Sequence, residues 1–447
     1  MGGMVYGSWK KEVIDFDIRP KIVPTGCETV LQVRSAYPHK VMKEGAWFGV
    51  HILPMEWLGH DWAERDMPPA VVRVADGVLR IPFFFREEQE YIVELTPMER
   101  GEGLTLSRIE GACPIELRVY ALEADLFARK PWKGDVHIHS HHSDGREAPG
   151  FVAASCRKIG MDFMALTDHG RYAPSIEAQE AFADVTVDML ICRGEEVHPP
   201  ENPVHMIHFG GSESINDRMR KDPKGYEKEV NAYEAKVEGV ADPLARRHIA
   251  SCNWVFDQIR ACGGLGIFCH PYWKVREGYH ISGAVTSWMF RNQPYDAYEL
   301  IGGYHKFEAD SNTLQVARYH EERAKGRTIP IVGVSDAHGC AESPLFGWYY
   351  TIAWSEAQTR ESISDSIRAG WSVAVEAMEG EVPRAYGPFR LVKLALFLIR
   401  DVFPLHDDLC GTEADAMFAH LRGETDAAEM LAKRSGRVAA LYQALWA

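Results

Sequence analysis

Histidines and carboxylates recur in five short clusters along the chain. The first is Asp135-Val136-His137-Ile138-His139, followed closely by Ser143-Asp144-Gly145. The second is Thr167-Asp168-His169, and the third is Gly194-Glu195-Glu196-Val197-His198 with His205 and His208 behind it. The fourth is His270-Pro271 and the fifth Ser335-Asp336-Ala337-His338. Imidazole and carboxylate without thiolate is a donor set for Zn, Mn, Fe or Co rather than Ca or Cu(I). Any one cluster is weak, because a lone histidine at a strand end is more often a satisfied polar residue than a ligand. Jointly they are specific, since burying so many ionisable groups without a counter-charge is costly and divalent ions relieve that cost. A carboxylate in the third cluster could bridge two ions about 4 Å apart. Glu195 or Glu196 could be that carboxylate, and His198, His205 and His208 follow as nearby imidazoles.

These side chains need elements to bring them together. On a strand, residues two apart share a face, so Asp135, His137 and His139 point the same way, the two imidazoles about 7 Å apart. Gly145 lets the chain turn back and carry Asp144 over the strand end. From about residue 133 strand-like and helix-like segments alternate. Strands are expected at 135–139, 162–167, 189–196, 265–269, 297–301, 329–335 and 371–375. Helices are expected at 149–159, 251–262, 311–324 and 361–369, the second capped by Ser251. Such alternation implies a parallel barrel or a doubly wound sheet. In a barrel the carboxyl ends of the strands surround one pocket, which would gather all five clusters. Two insertions, 212–250 (charged) and 272–296 (aromatic), follow strand ends, where active-site lids sit. Residues 1–130 read as a β-rich, sandwich-like domain, with Asp76-Gly77 as a hairpin turn. Residues 381–447 read as a helical extension without chemistry.

Composition narrows the class. At 447 residues the chain is too long for one ordinary core. Its formal charge of −15 disfavours bulk nucleic acid, leaving at most a small nucleotide. Nine scattered cysteines without a Cys-x-x-Cys pair argue against a zinc ribbon and for reduced thiols. The segment MGGMVYGSWKKEV has neither the apolar core of a signal peptide nor a myristoylation pattern. Residues 391–403 are interrupted by Lys393, Arg400 and Asp401 and are too short to span a bilayer. A cytoplasmic enzyme with a small-molecule substrate and no membrane contact is expected; the oligomeric state is not readable.

The strings HIHSHHSDG, ALTDH, GEEV with VHMIH, CHP and VSDAH, in that order, resemble the motifs of the PHP (polymerase and histidinol phosphatase) superfamily. The β-rich leader is similar to that of its carbaryl-hydrolase-like branch. The resemblance implies an α/β fold, a distorted (βα)7 TIM-like barrel of PHP type over residues 131–380. It implies a centre of two or three divalent ions (Zn, Mn or Fe) held by His137, His139, Asp144, His169, Glu196, His205, His270, Asp336 and His338. The activity implied is metal-dependent hydrolysis, foremost of a phosphate ester, by a water whose pKa the ions lower. Asp336 is both a ligand and a candidate proton acceptor, and Asp168 is expected to orient a histidine. Lys274, Arg276 and Arg171 could pair with a phosphate or be ordinary surface cations. Trp273, Tyr279 and Trp288 could form an apolar lid or simply be core. A carbamate, ester or amide hydrolase on the same centre is the alternative. A non-catalytic metal-binding scaffold ranks last, because the ligand set shows no gap.

Overall fold

The computed structural model describes residues 16–37, 42–56, 69–100, 106–109, 114–341 and 344–447. The N-terminal segment read above for targeting signals lies outside them. The chain forms two compact units. One holds the sequence up to Arg129 with Phe397–Val402 and Ala439–Ala447; the other holds Lys130–Leu396 and Phe403–Val438. The C-terminal helices are therefore shared between the units. No helix among the described residues is long and apolar enough to cross a membrane.

In the first unit β1 (Phe16–Arg19), β3 (Glu28–Ser35) and β6 (Leu79–Phe84) form an antiparallel sheet. A second sheet runs β2 (Ile22–Pro24), β9 (Ile115–Leu122), β7 (Glu90–Arg100), β4 (Trp47–Pro54), β5 (Ala70–Arg73), with β8 (Leu106–Arg108) on β7. Alternate side chains of both sheets, among them Leu31, Ile81, Val93 and Val119, pool in one apolar core. The Asp76-Gly77 turn has φ of 55° and 68°, the left-handed pair that a two-residue hairpin turn requires.

The second unit has two larger sheets. One is ordered β12 (Leu190–Cys192), β11 (Phe163–Ala165), β10 (Lys130–Asp135), β20 (Tyr349–Ser355), β21 (Ser372–Glu376), β22 (Arg384–Tyr386). The other is β13 (Gly194–Val197), β14 (Met206–Phe209), β15 (Leu265–Phe268), β18 (Ala297–Gly302), β19 (Ile331–Val334). Single parallel bridges, Ile138 with Ala337 and His169 with Glu196, join the sheets just past the strand ends. The pure parallel alternation expected from sequence is broken: β14 runs antiparallel to both neighbours, as β20 does to β10 and β21. The segment 189–196 is two strands, because the chain leaves the first sheet at Arg193 and Gly194 enters the second. Gly194 passes so close to the carbonyl oxygens of Leu166 and His208 that a Cβ would lie 3.0 Å from each.

The insertions are ordered. Residues 212–250 fold into the helices Ile215–Lys221 and Pro223–Glu234 and the first two turns of Pro243–Ala261. That third helix begins eight residues before Ser251, because Asp242 caps the Leu244 amide at 3.0 Å and Pro243 suits the first turn. Residues 272–296 give a short hairpin, β16 (Lys274–Val275) with β17 (Gly278–Tyr279), and the helix Gly283–Asn292.

Candidate metal centre

The five clusters converge at the carboxyl ends of β10, β11, β13, β15 and β19. His137 and His139 leave β10 on one face and are fully buried. Gly145 folds the following turn against the His139 carbonyl, where a Cβ would lie at 2.5 Å. This returns Asp144 to within 3.8 Å of His139 Nδ1, 3.3 Å of His169 Nε2 and 3.2 Å of His338 Nε2. His270 and Asp336 follow β15 and β19 with φ of 21° and 49°, a left-handed conformation rare for residues with a Cβ and common at functional sites.

Glu196 lies at the centre. Six imidazoles approach its carboxylate: His205 at 2.8 Å and His169 at 2.5 Å, then His198, His139, His270 and His137 at 3.5–3.7 Å. None is aligned to donate a hydrogen bond to it, so both oxygens are buried with close ion-pair partners but no directed donor, and His137 Nε2 is likewise without an aligned partner. Unmet buried charge of this kind costs several kcal/mol unless a cation completes it. Asp336 Oδ1 sits 3.1 Å from His137 Nε2 and 3.0 Å from His139 Nε2.

Burial alone would raise both carboxyl groups, but the surrounding imidazoles outweigh it and hold Glu196 and Asp336 well below the usual carboxylate range. Burial pushes His205 down to about 4, the neutral form that ligates metal. His169 is raised to about 9, Glu196 and Asp144 overcoming its burial. The donors fall into groups whose atoms lie within 4.8 Å of one another: His139, Asp144, His169, His338; His169, Glu196, His198, His205; His137, His139, Glu196; and His137, His270, Asp336. The donor set and the orphaned oxygens of Glu196 fit divalent ions.

Each open alternative has a definite place. Glu196 faces the histidines; Glu195 points away, accepting from Ser214 Oγ, the Ile215 amide and Asn216 Nδ2. His198 and His205 both face Glu196, whereas His208 pairs with Glu195. Asp168 does not touch His169. It accepts from the Ser140 amide at 2.9 Å and from Ser143 Oγ at 2.6 Å, and Ser143 Oγ lies 3.4 Å from His139 Nδ1. Asp168 thus braces the loop that carries Asp144 and reaches His139 through Ser143.

The cavity over the cluster holds about 220 Å³, walled by Trp273, Tyr304 and Gly303 beside the ligands. None of the three expected cations lines it. Lys274 is ion-paired with Asp310 on the exposed hairpin, and Arg276 occupies the hairpin turn at φ 59°. Arg171 lines a neighbouring pocket with His142 and Arg220. Tyr279 is half-exposed on the hairpin and edge-on to Tyr272, and Trp288 lies on the Gly283–Asn292 helix, so of the three aromatics only Trp273 walls the cavity.

One residue, Glu299, escaped the sequence reading, and Asp135, read only as sharing a face with His137 and His139, was given no role there. Glu299, on β18, is fully buried, 3.1 Å from His137 Nδ1, and accepts from the His270 amide. It fixes the His137 ring so that Nε2 faces Glu196 and Asp336. Asp135 accepts from the His137 and Ser335 amides, tying the ends of β10 and β19, and burial raises it to about 7. The signal for Glu299 was a lone acid inside the apolar strand AYELIG.

No protein-family model matches the chain. A 126-residue segment is 29% identical to the DNA polymerase/3'-5' exonuclease PolX of Bacillus subtilis, covering 27% of this chain and 20% of the polymerase. The match thus spans about a fifth of that relative. Among solved structures, a two-domain protein from Bacteroides vulgatus containing a predicted PHP-like metal-dependent phosphoesterase aligns at 15% identity and TM-score 0.42, over 61% of this chain and 71% of that one. A putative metal-dependent phosphoesterase from Bifidobacterium adolescentis (17%, TM-score 0.32) and an amidohydrolase from Chromobacterium violaceum (16%, TM-score 0.30) each cover 47% of this chain and 88% of their own. Two of these aligned structures are described as metal-dependent phosphoesterases, one of them as PHP-like.

Proposed function

We propose that the chain is a metal-dependent hydrolase of a small phosphate ester, working with two or three divalent ions of the Zn, Mn or Fe type. The observation that carries this reading is Glu196, buried, ringed by six imidazoles and given no directed hydrogen-bond donor. Glu196 would help to hold two ions, one together with His137, His139 and Asp336 and one together with His205 and His270. A third ion would take Asp144, His169 and His338, beside His139. The two sheets, joined at Ile138–Ala337 and His169–Glu196, support a distorted seven-stranded barrel of β10, β11, β13, β14, β15, β18 and β19 around this centre.

When bound, the ions supply an acidified water as nucleophile and polarise the electrophile. The protein does the rest. Glu299 and Asp135 hold the β10 and β15 ends in place. Asp336 Oδ1 faces His137 and His139, leaving Oδ2 on the Gly303 side of the cavity, where a proton from water can be received. Trp273 and Tyr304 exclude water and hold the organic part of the ester. Counting Glu299 behind His137, the cluster has four carboxylates, Asp144, Glu196, Glu299 and Asp336, which would balance two divalent ions and leave positive charge for an anionic substrate with a third.

One observation favours a second reading. No Lys or Arg is among the residues walling the cavity, so a carbamate, ester or amide would meet no unpaired cation there. Turnover of a panel of phosphate mono- and diesters, carbamates, esters and amides by the metal-loaded protein separates the readings. Release of inorganic phosphate from a monoester at the highest kcat/KM supports the first; carbamate or ester hydrolysis without phosphate release supports the second.

A further inference from the structure

On the far side of β13 and β14 a second constellation takes no part in the metal centre. Cys262, just past the Pro243–Ala261 helix, lies with Sγ 3.4 Å from His208 Nε2. The other ring nitrogen, Nδ1, is 3.3 Å from Glu195 Oε1. Glu195 is held in turn by Ser214 Oγ at 2.7 Å, the Ile215 amide at 2.5 Å and Asn216 Nδ2 at 2.9 Å. A thiol, an imidazole and a fixed carboxylate in series is the arrangement that activates a cysteine.

The surroundings are shaped around the pair. A Cβ on Gly211 would lie 2.0 Å from His208 Nε2 and 2.6 Å from Cys262 Sγ, and one on Gly264 2.7 Å from His208 Nε2. Both positions therefore admit only glycine while the pair stays in place. Tyr172 donates to the Gly211 carbonyl at 2.6 Å and stacks over the His208 ring. Cys262 is partly exposed and opens on a cavity of about 370 Å³ that Arg193, Arg360 and Ser212 also line. Burial and the helix carboxyl end oppose charge on the thiol, yet His208 outweighs them and lowers it below the usual cysteine range. His208 itself is raised to about 9, the Cys262 and Glu195 partners overcoming its burial.

We infer that Cys262 is a reactive thiol built to form a mixed disulfide with a small anionic disulfide, which Arg193 draws into the cavity, Arg360 there being paired with Glu361. The Cys262 thiolate attacks one sulfur of R–S–S–R. The Cys262–S bond forms as the R–S–S–R bond breaks, and the departing RS⁻ takes the proton held on His208. The reaction needs no metal and does not depend on the proposed hydrolase activity.

The exposed Cys27 is the internal reference. The full chain is exposed to oxidised glutathione (anionic) or cystamine (cationic) from pH 6 to 9, and each cysteine is followed by peptide mass mapping. At pH 6.5 Cys262 should react at least ~10-fold faster than Cys27, since ordinary thiols are mostly protonated there. Its rate should rise less steeply between pH 7 and 9 than that of Cys27, and oxidised glutathione should outrun cystamine. His208→Gln should bring Cys262 to the rate of Cys27; should that variant not fold, the wild-type pH profile decides alone. Overturning results are Cys27 matching Cys262 at pH 6.5, a Cys262 rate climbing about tenfold per pH unit up to 8.5, or a preference for cystamine.

Discussion

Two buried charge clusters in the second unit invite comparison. One is the histidine–carboxylate centre around Glu196. The other lies at Arg157, Asp162, His406 and Glu413. In the second, Arg157 Nε donates to Glu413 at 2.7 Å and Nη1 to Asp162 at 3.1 Å, while His406 Nε2 meets Asp162 at 2.9 Å. The spare oxygens accept the Lys133 and Asp188 amides, and Lys133 Nζ closes the network on Asp407. Positive and negative groups match, and each carboxylate named has donors. Around Glu196 the carboxylate, His137, His139 and His270 are as deeply buried, while His169 and His198 are partly exposed, and the central oxygens have no directed donor. In the Arg157 network every carboxylate has directed donors and only Arg157 Nη2, 2.7 Å from Glu413, lacks an aligned bond; around Glu196 it is the central anion that lacks them, which separates a network that holds the fold together from one suited to cations.

The comparison breaks or sharpens on substitution. Glu196→Gln should lower kcat on the order of 10³-fold, about 4 kcal/mol, and reduce bound metal by at least one ion per chain, with the far-ultraviolet circular dichroism unchanged. Arg157→Ala should do the converse: a loss of about 3–5 kcal/mol in urea unfolding, because Asp162 and Glu413 are left buried without their partner, while the folded fraction keeps its full metal content. If Arg157→Ala stripped the metal or Glu196→Gln unfolded the chain, the division of roles would be wrong.

Acidity tests the same contrast. His406 is raised well above its ordinary value, Asp162 and Asp407 outweighing its burial. A raised folded-state pKa gives stability that is complete below the unfolded value of about 6.5 and is lost as pH rises through the folded value. Asp162 is lowered, His406 and Arg157 overcoming its burial, so its contribution is present above about 3.9 and lost as pH falls through its folded value. Urea unfolding of wild type and His406→Gln in chelator should therefore differ most between about pH 4 and 6.5 and converge in alkali. A gap that widened with rising pH would contradict the pairing.

Smaller effects are expected at the edge of the metal centre. Asp168→Asn should cost roughly 10–100-fold in metal affinity by loosening the 140–143 loop, read by competition with a chelating dye. Lys274→Ala should leave kcat/KM within about 3-fold, since its partner is Asp310 and it does not line the cavity. A 100-fold loss there would return Lys274 to the substrate site.

What sequence could and could not show follows from these contacts. Local spacing put His137 and His139 on one side although β10 ends at Asp135 rather than running through 139, because the chain continues past it through the isolated bridge at Ile138. It left Glu195 against Glu196 open, since period two fixes that the pair diverges but not which member faces the pocket. The answer lies in Ser214, Ile215 and Asn216, supplied by an insertion whose fold was not legible. Asp168 was read as bracing a neighbouring histidine, but the groups that donate to it, the Ser143 amide and hydroxyl, lie 25 residues earlier. Lys274, Arg276 and Arg171 were chosen for closeness in sequence to ligands, which loop geometry does not preserve. The tail after 380 read as devoid of chemistry, yet His406 and Glu413 complete the buried network around Arg157.

The central claim is that cations complete the Glu196 cluster and give it activity. Its most direct test is elemental analysis of the dialysed full-length protein before and after exhaustive chelation, with turnover of the best substrate followed in parallel. Two or more divalent ions per chain, turnover lost with them and regained on adding them back, is the expected result. A protein without bound metal that hydrolyses its substrate at an undiminished rate would contradict it.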